Sequence, residues 1–164
     1  MSTAEAAKRL LDLARARGLM IATAESCTGG LVAGALTEIP GSSDVVERAF
    51  VTYSNDAKHE MLGVPLPSLR KFGAVSRETA EAMARGALRN SRAHLSVSIT
   101  GIAGPGGATP GKPVGLVHFA AAARGRRLIH RAKKFGDIGR RKVRQKSVDV
   151  ALAMLALLAR GTRR

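Results

Sequence analysis

The sequence predicts an α/β fold, a three-layer α/β/α sandwich built on a mixed, mostly parallel sheet. Three observations carry that expectation. Helical and strand patterns alternate through the first two thirds of the chain, as they do where parallel strands are joined by crossover helices. The last third instead offers two strands around a tight turn and one long helix. No internal repeat or dividing linker interrupts the 164 residues, so one domain over 1–164 is expected, long enough to bury a sizeable core.

The elements follow in order. Residues 3–17 place Ala6, Ala7, Leu10, Leu11 and Ala14 on one helical face, and Gly18 ends that helix. Leu19–Ala24 predicts a first buried strand, and a helix is expected over 28–38. Val45–Tyr53 alternates enough for a second strand, after which Ser54, Asn55 and Asp56 offer N-caps for a short helix ended by Gly63. A further short helix is expected before Phe72. Ser76 opens a longer helix striped by Ala80, Met83, Ala84, Ala87 and Leu88. Leu95–Thr100 predicts a third strand, running into the Gly/Pro-rich segment 101–113. Val114–Ala123 and Arg126–Phe135 predict a hairpin turning at Arg124-Gly125, and Gly139–Arg160 a final long helix.

Composition narrows the classes of function. The chain is 45% apolar but only 3% aromatic, so its core is built from aliphatic residues. A single cysteine, Cys27, excludes an internal disulfide framework. The N-terminus has no signal-like apolar region, and the longest apolar run, Val150–Ala159, is too short to span a bilayer. A cytoplasmic protein with no membrane partner is expected. The formal charge of +15 attracts anions, with most of the excess after residue 123, including the tail R-G-T-R-R. With no Trp and one Tyr, the stacking platforms of single-strand binders are missing, so nucleic acid is not the expected partner.

The candidate chemistry gathers around A-E-S-C-T-G-G, Ala24 to Gly30, read as strand, sharp turn, helix. Ser26 stands at the carboxyl end of the strand, where it is either a helix cap or a nucleophile. The four histidines have no zinc-ligand spacing, and segment 101–113 matches neither a P-loop nor a dinucleotide fingerprint. No metal or cofactor is therefore expected. Serine attack needs a base, and a lysine serves when neutral; only about 0.04% of a solvated lysine is neutral at pH 7, so burial must lower its pKa to roughly 7–8. Lys58 and Tyr53 reach the end of the first strand if the first two strands run parallel and adjacent. Cys27 competes with Ser26, yet neighbours in an extended turn point to opposite sides.

Four ordered blocks then stand out: T-A-E-S-C-T-G-G at 23–30, Y-S-N-D-A-K at 53–58, G-A-V-S-R-E-T-A at 73–80, and T-G-I-A-G-P-G-G with K-P-V-G at 100–107 and 112–115. Over roughly residues 5–160 the chain resembles the C-terminal domain of the CinA family, the nicotinamide-nucleotide amidases. The resemblance implies hydrolysis of the carboxamide of nicotinamide mononucleotide by Ser26, with Lys58 and Tyr53, in pyridine-nucleotide recycling. It also implies a pyridine-nucleotide ligand and a homo-oligomer, a dimer or higher. Backbone N–H groups at Thr28, Gly29 and Gly30 are expected to hold the oxyanion. Thr100, Gly101, Ala103, Gly104 and Gly106 are expected to line the pocket, and Arg140 or Arg144 to grip the phosphate. Arginines at a helix start oppose its dipole, so they either hold an anion or are solvated. The sequence departs from the family at Phe72, where a histidine is common, and in the longer approach G-D-I-G-R-R at 136–141. The alternative reading is an inactive family member using its basic surface to bind nucleic acid or protein.

Overall fold

The computed structural model describes residues 1–163, so Arg164, last of the basic tail, lies outside the described residues. The chain runs through α1 (Thr3–Ala16), β1 (Ile21–Glu25), α2 (Leu31–Thr37) and β2 (Val46–Val51). It continues through α3 (Asn55–Leu62), α4 (Leu66–Phe72), α5 (Arg77–Arg89) and β3 (Leu95–Gly101). The hairpin β4 (Leu116–Ala123) and β5 (Leu128–Lys134) and the helix α6 (Arg140–Gly161) complete it. The sheet order is β2-β1-β3-β4-β5. β1 pairs in parallel with both β2 and β3, whereas β3–β4 and β4–β5 are antiparallel. Four of the five strands therefore point the same way, and this is the expected three-layer α/β fold.

Alternation along β1 explains the layers. Ile21 faces α1, α2 and α6, while Ala22 and Ala24 face α3, α4 and α5. Burial of Leu10, Leu36, Leu152 and Leu155 on the first side contributes roughly 1.5–3 kcal/mol each. The second side is built on small residues. A Cβ at Gly86 would collide with the Leu62 carbonyl, so only glycine lets α5 lie this close to α3. Ser96 and Ser98 of β3 donate to the Ala84 and Ala80 carbonyls of α5 at 2.7 and 2.5 Å.

Most boundaries shift by a residue or two. β1 starts at Ile21 because Leu19 N–H closes back onto Ala14 O at 2.9 Å and Met20 N–H goes to His94 Nδ1 at 2.9 Å. α2 starts at Leu31, not at residue 28, because 26–30 form a turn closed by Gly29 N–H to Ser26 O and Leu31 N–H to Thr28 O, each 3.0 Å. Ser54 caps α3 by accepting Ala57 N–H, and Ser76 caps α5 by accepting Thr79 N–H. Among the described residues, no helix is long and apolar enough to cross a membrane.

Candidate active site

Parallel pairing brings three strand ends to one edge. In register, Glu25 stands beside Val51 on one side and Ile99 on the other. The chain just beyond is stitched across this edge, with Ser26 N–H donating to Ile99 O and Thr52 N–H to Glu25 O, both at 2.9 Å. In such sheets ligands bind outside the carboxyl ends of the strands. Ser26, Tyr53 and Thr100 all stand there.

Lys58 lies in the first turns of α3, and its chain runs back toward the sheet. It is 1% exposed, with Nζ 3.0 Å from Ser26 Oγ, 2.8 Å from Thr52 O and 3.3 Å from Tyr53 O. Burial holds its pKa down, to about 8. A neutral amine has two hydrogens and one lone pair. With both hydrogens on the two carbonyls, the lone pair is left facing the Ser26 hydroxyl. The arrangement thus sets the lone pair of a neutral lysine against a serine hydroxyl.

Cys27 is turned into the core, 5% exposed, and burial pushes its thiol up to about 11. Ser26 is therefore the side chain of the pair that meets Lys58. Neither Ser26 nor Thr28 caps α2. That helix has Gly30 at its N-cap position, with a left-handed φ of 101°, and no side-chain cap bond there. The wholly buried carboxylate of Glu25 does that work instead, accepting Val32 N–H at 2.9 Å, Ala33 N–H at 3.0 Å and the Thr23 hydroxyl at 3.1 Å. Sequence reading missed this anchor. Its signal was an acid at the end of an otherwise apolar strand, just ahead of a helix whose first N–H groups need acceptors.

Tyr53 meets Lys58 through its main-chain oxygen. The residue is 60% exposed, and its hydroxyl accepts from Arg140 Nη2 at 2.9 Å. Arg140 Nη1 donates to Gly104 O at 3.0 Å, so this arginine spans the site from Tyr53 to the glycine-rich loop. Arg144 donates through Nε to Cys27 O at 3.0 Å and through Nη2 to Thr28 O at 3.2 Å. Both helix-start arginines thus have partners within the protein, a peptide carbonyl and the Tyr53 hydroxyl for Arg140 and two peptide carbonyls for Arg144.

The remaining expected lining residues divide. Thr100 spends its hydroxyl on Ala74 O at 2.8 Å, and Ala103 is buried. Gly101 lets β3 approach β4, since a Cβ there would strike Val117. Gly104 presents its carbonyl to Arg140, while Gly106 is exposed with open space about it. Two buried hydroxyls, Thr28 Oγ1 and Thr52 Oγ1, have no hydrogen-bond partner among the described residues. Farther along the sheet, His118 Nδ1 and His130 Nε2 lie 2.9 Å apart, a pairing invisible in their sequence spacing.

A recess of 730 Å³ between α1, α2 and α6 touches this edge only at Gly30 and Leu31. Chemistry locates the site better than volume does. A second recess of 530 Å³, lined by Leu31, Arg140, Arg141, Arg144 and Gln145, lies beside the Ser26 turn and carries three cations.

Fold and site together define a class: an α/β protein carrying a serine–lysine pair at the carboxyl edge of its parallel strands. The model of the CinA C-terminal domain family matches residues 3–159, and the chain belongs to that family. Nicotinamide-nucleotide amidohydrolase PncC of Escherichia coli K12 is 51% identical over 142 residues, covering 86% of this chain and 85% of that protein. A CinA-like protein of Kosmotoga olearia is 46% identical over 143 residues, 87% of this chain but 34% of that protein. Indeed the chain spans only 26% to 34% of the length of several longer relatives. The crystal structure of competence/damage inducible protein CihA from Agrobacterium tumefaciens is 56% identical, with a TM-score of 0.94 over 96% of this chain and 99% of that one.

Proposed function

We propose that this chain hydrolyses the carboxamide of nicotinamide mononucleotide to nicotinate mononucleotide and ammonia, as a cytoplasmic enzyme of pyridine-nucleotide recycling. The observation that carries the reading is the 3.0 Å contact between Lys58 Nζ and Ser26 Oγ, made by a buried amine with two carbonyls to take the N–H donors of its neutral form. The likeness to the Escherichia coli enzyme supports the choice of substrate.

In this mechanism Ser26 Oγ attacks the amide carbon while Lys58 Nζ takes the hydroxyl proton. The tetrahedral oxyanion is held by N–H groups of the turn at 27–30 other than that of Gly29, which the Ser26 carbonyl already takes against expectation, each such donor being worth about 2.7–4 kcal/mol in serine hydrolases. Lys58 then returns the proton to the amide nitrogen, the C–N bond breaks and ammonia leaves. Water attacks the resulting Ser26 ester with Lys58 again as base, releasing the carboxylate and restoring Ser26. Tyr53 assists through its main-chain oxygen, which fixes Lys58, and through its hydroxyl, which holds Arg140. The cationic recess beside the turn receives the phosphate, with Arg140 as its nearest donor to the glycine-rich loop. No step calls for a metal or cofactor.

A second copy of the chain is the macromolecular partner this reading favours. The exposed apolar residues Leu31, Val51, Tyr53, Met61 and Leu66 belong to α2, β2, α3, α4 and the turn after β2, around the sheet's unpaired β2 edge. Sedimentation equilibrium is expected to report a dimer or higher oligomer, and a monomer at all concentrations removes this partner.

The test of the reaction is ammonia release from nicotinamide mononucleotide by the purified protein. Turnover is expected in the wild type and not in Lys58→Ala of matched circular dichroism. Salt-sensitive retention on DNA with no ammonia release would instead favour a basic binding module.

A further inference from the structure

We infer that Arg144 is a positioning residue for the oxyanion hole, acting on the Ser26 turn through two peptide units rather than on the substrate; this rests on the reading of Ser26 as the nucleophile. The observations form a chain. Arg144 Nη2 donates to the Thr28 carbonyl at 3.2 Å, and the same peptide carries the Gly29 N–H. That N–H points the opposite way and donates to the Ser26 carbonyl at 3.0 Å. The Ser26 carbonyl belongs in turn to the peptide carrying the Cys27 N–H, which donates to no main-chain carbonyl among the described residues. A guanidinium, two peptides and an N–H that no carbonyl holds thus lie in series. That donor belongs to the residue following the nucleophile, where serine hydrolases of strand–turn–helix geometry place an oxyanion donor.

Two effects follow from that order. Each held carbonyl fixes the plane of its peptide, so the Cys27 N–H is aimed before substrate arrives. Hydrogen bonds in series also polarise one another, and a cation at the head of the series makes the terminal N–H a better donor. Arg144 Nε on the Cys27 carbonyl at 3.0 Å keeps that oxygen turned toward α6 and away from the reacting carbon. The guanidinium lies close enough to the turn that a Cβ at Gly29 would sit 3.5 Å from Nη2. Its Nε and Nη2 edge, the one that grips a phosphate bidentately, is already spent on carbonyls.

The test compares Arg144→Lys and Arg144→Met with the wild type on two substrates, nicotinamide mononucleotide and its riboside, which lacks the phosphate. A positioning role predicts that kcat falls about 10- to 100-fold in Arg144→Met, less than the ~10²–10³ for deleting an oxyanion donor outright. The fall is expected equally on both substrates, with KM within about threefold, and Arg144→Lys is expected to lie between. A rise in KM confined to the phosphorylated substrate, with kcat unchanged, would make Arg144 a phosphate ligand and overturn the inference. The amide NMR spectrum gives a readout independent of turnover: Arg144→Met moves the Cys27 and Gly29 resonances and leaves those of α5 in place. An unmoved Cys27 amide overturns the inference even if neither substrate is hydrolysed, whereas a moved amide with no turnover in the wild type counts against the proposed reaction alone.

Discussion

Lys58 Nζ lies 3.0 Å from Ser26 Oγ in a residue that is 1% exposed, and among the described residues no carboxylate pairs with it. A catalytic lysine needs this isolation. An ion pair would hold the amine protonated, whereas burial lowers its pKa to about 8, so that a usable fraction is neutral near physiological pH, and the two carbonyls orient its lone pair.

The rate of acylation is therefore expected to rise with pH through the Lys58 pKa of about 8 and to level off above it. Stability is expected to follow the same group. Between about pH 8 and the ordinary 10.5, the unfolded chain holds a proton that the native chain lacks, so stability rises with pH across that window. At pH 7 the buried amine must be charged, and Lys58→Met is expected to be more stable than wild type by on the order of 2 kcal/mol. Urea denaturation of both proteins at pH 7 and pH 9.5 checks this, with the gap closing at the higher pH.

Cys27 is expected to be dispensable. Its buried thiol, with a pKa of about 11, is almost wholly protonated at neutral pH. Cys27→Ala should keep kcat within about fivefold, and iodoacetamide at pH 7 should leave the native protein unlabelled by intact mass. Rapid alkylation with parallel loss of activity would shift the nucleophile to sulfur.

Glu25 carries a structural prediction. Glu25→Ala removes the acceptor from two main-chain N–H groups at the start of α2 and from the Thr23 hydroxyl. Orphaning buried donors costs about 1–3 kcal/mol each, so a loss of about 3 kcal/mol is expected in urea denaturation. Glu25→Gln is expected to fall between, because its amide offers one acceptor where the carboxylate offers two.

How much of this was legible in the chain depends on the range of the interaction. The strand–turn–helix around Ser26, the apolar stripe of α5 and the turn at Arg124-Gly125 rest on local periodicity and turn chemistry, and all three stand in the structure. The meeting of Ser26 with Lys58 needed one further fact, the parallel pairing of β1 with β2, which alternation made expected. Glu25 was hidden because an acid in a buried strand makes sense only once α2 is folded back over it. The targets of Arg140 and Arg144 were hidden for the same reason. α6 begins more than a hundred residues after the turn it touches, and nothing in its own pattern says that carbonyls would be waiting.

The central claim is that Ser26 carries the acyl group, and trapping that ester tests it most directly. Wild-type protein is mixed with nicotinamide mononucleotide, quenched in acid within milliseconds to seconds, digested and mapped by mass spectrometry. The account predicts a nicotinate mononucleotide acyl adduct on Ser26, absent in Ser26→Ala, which should also release no ammonia. An adduct on Cys27, or continued ammonia release by Ser26→Ala, would contradict it.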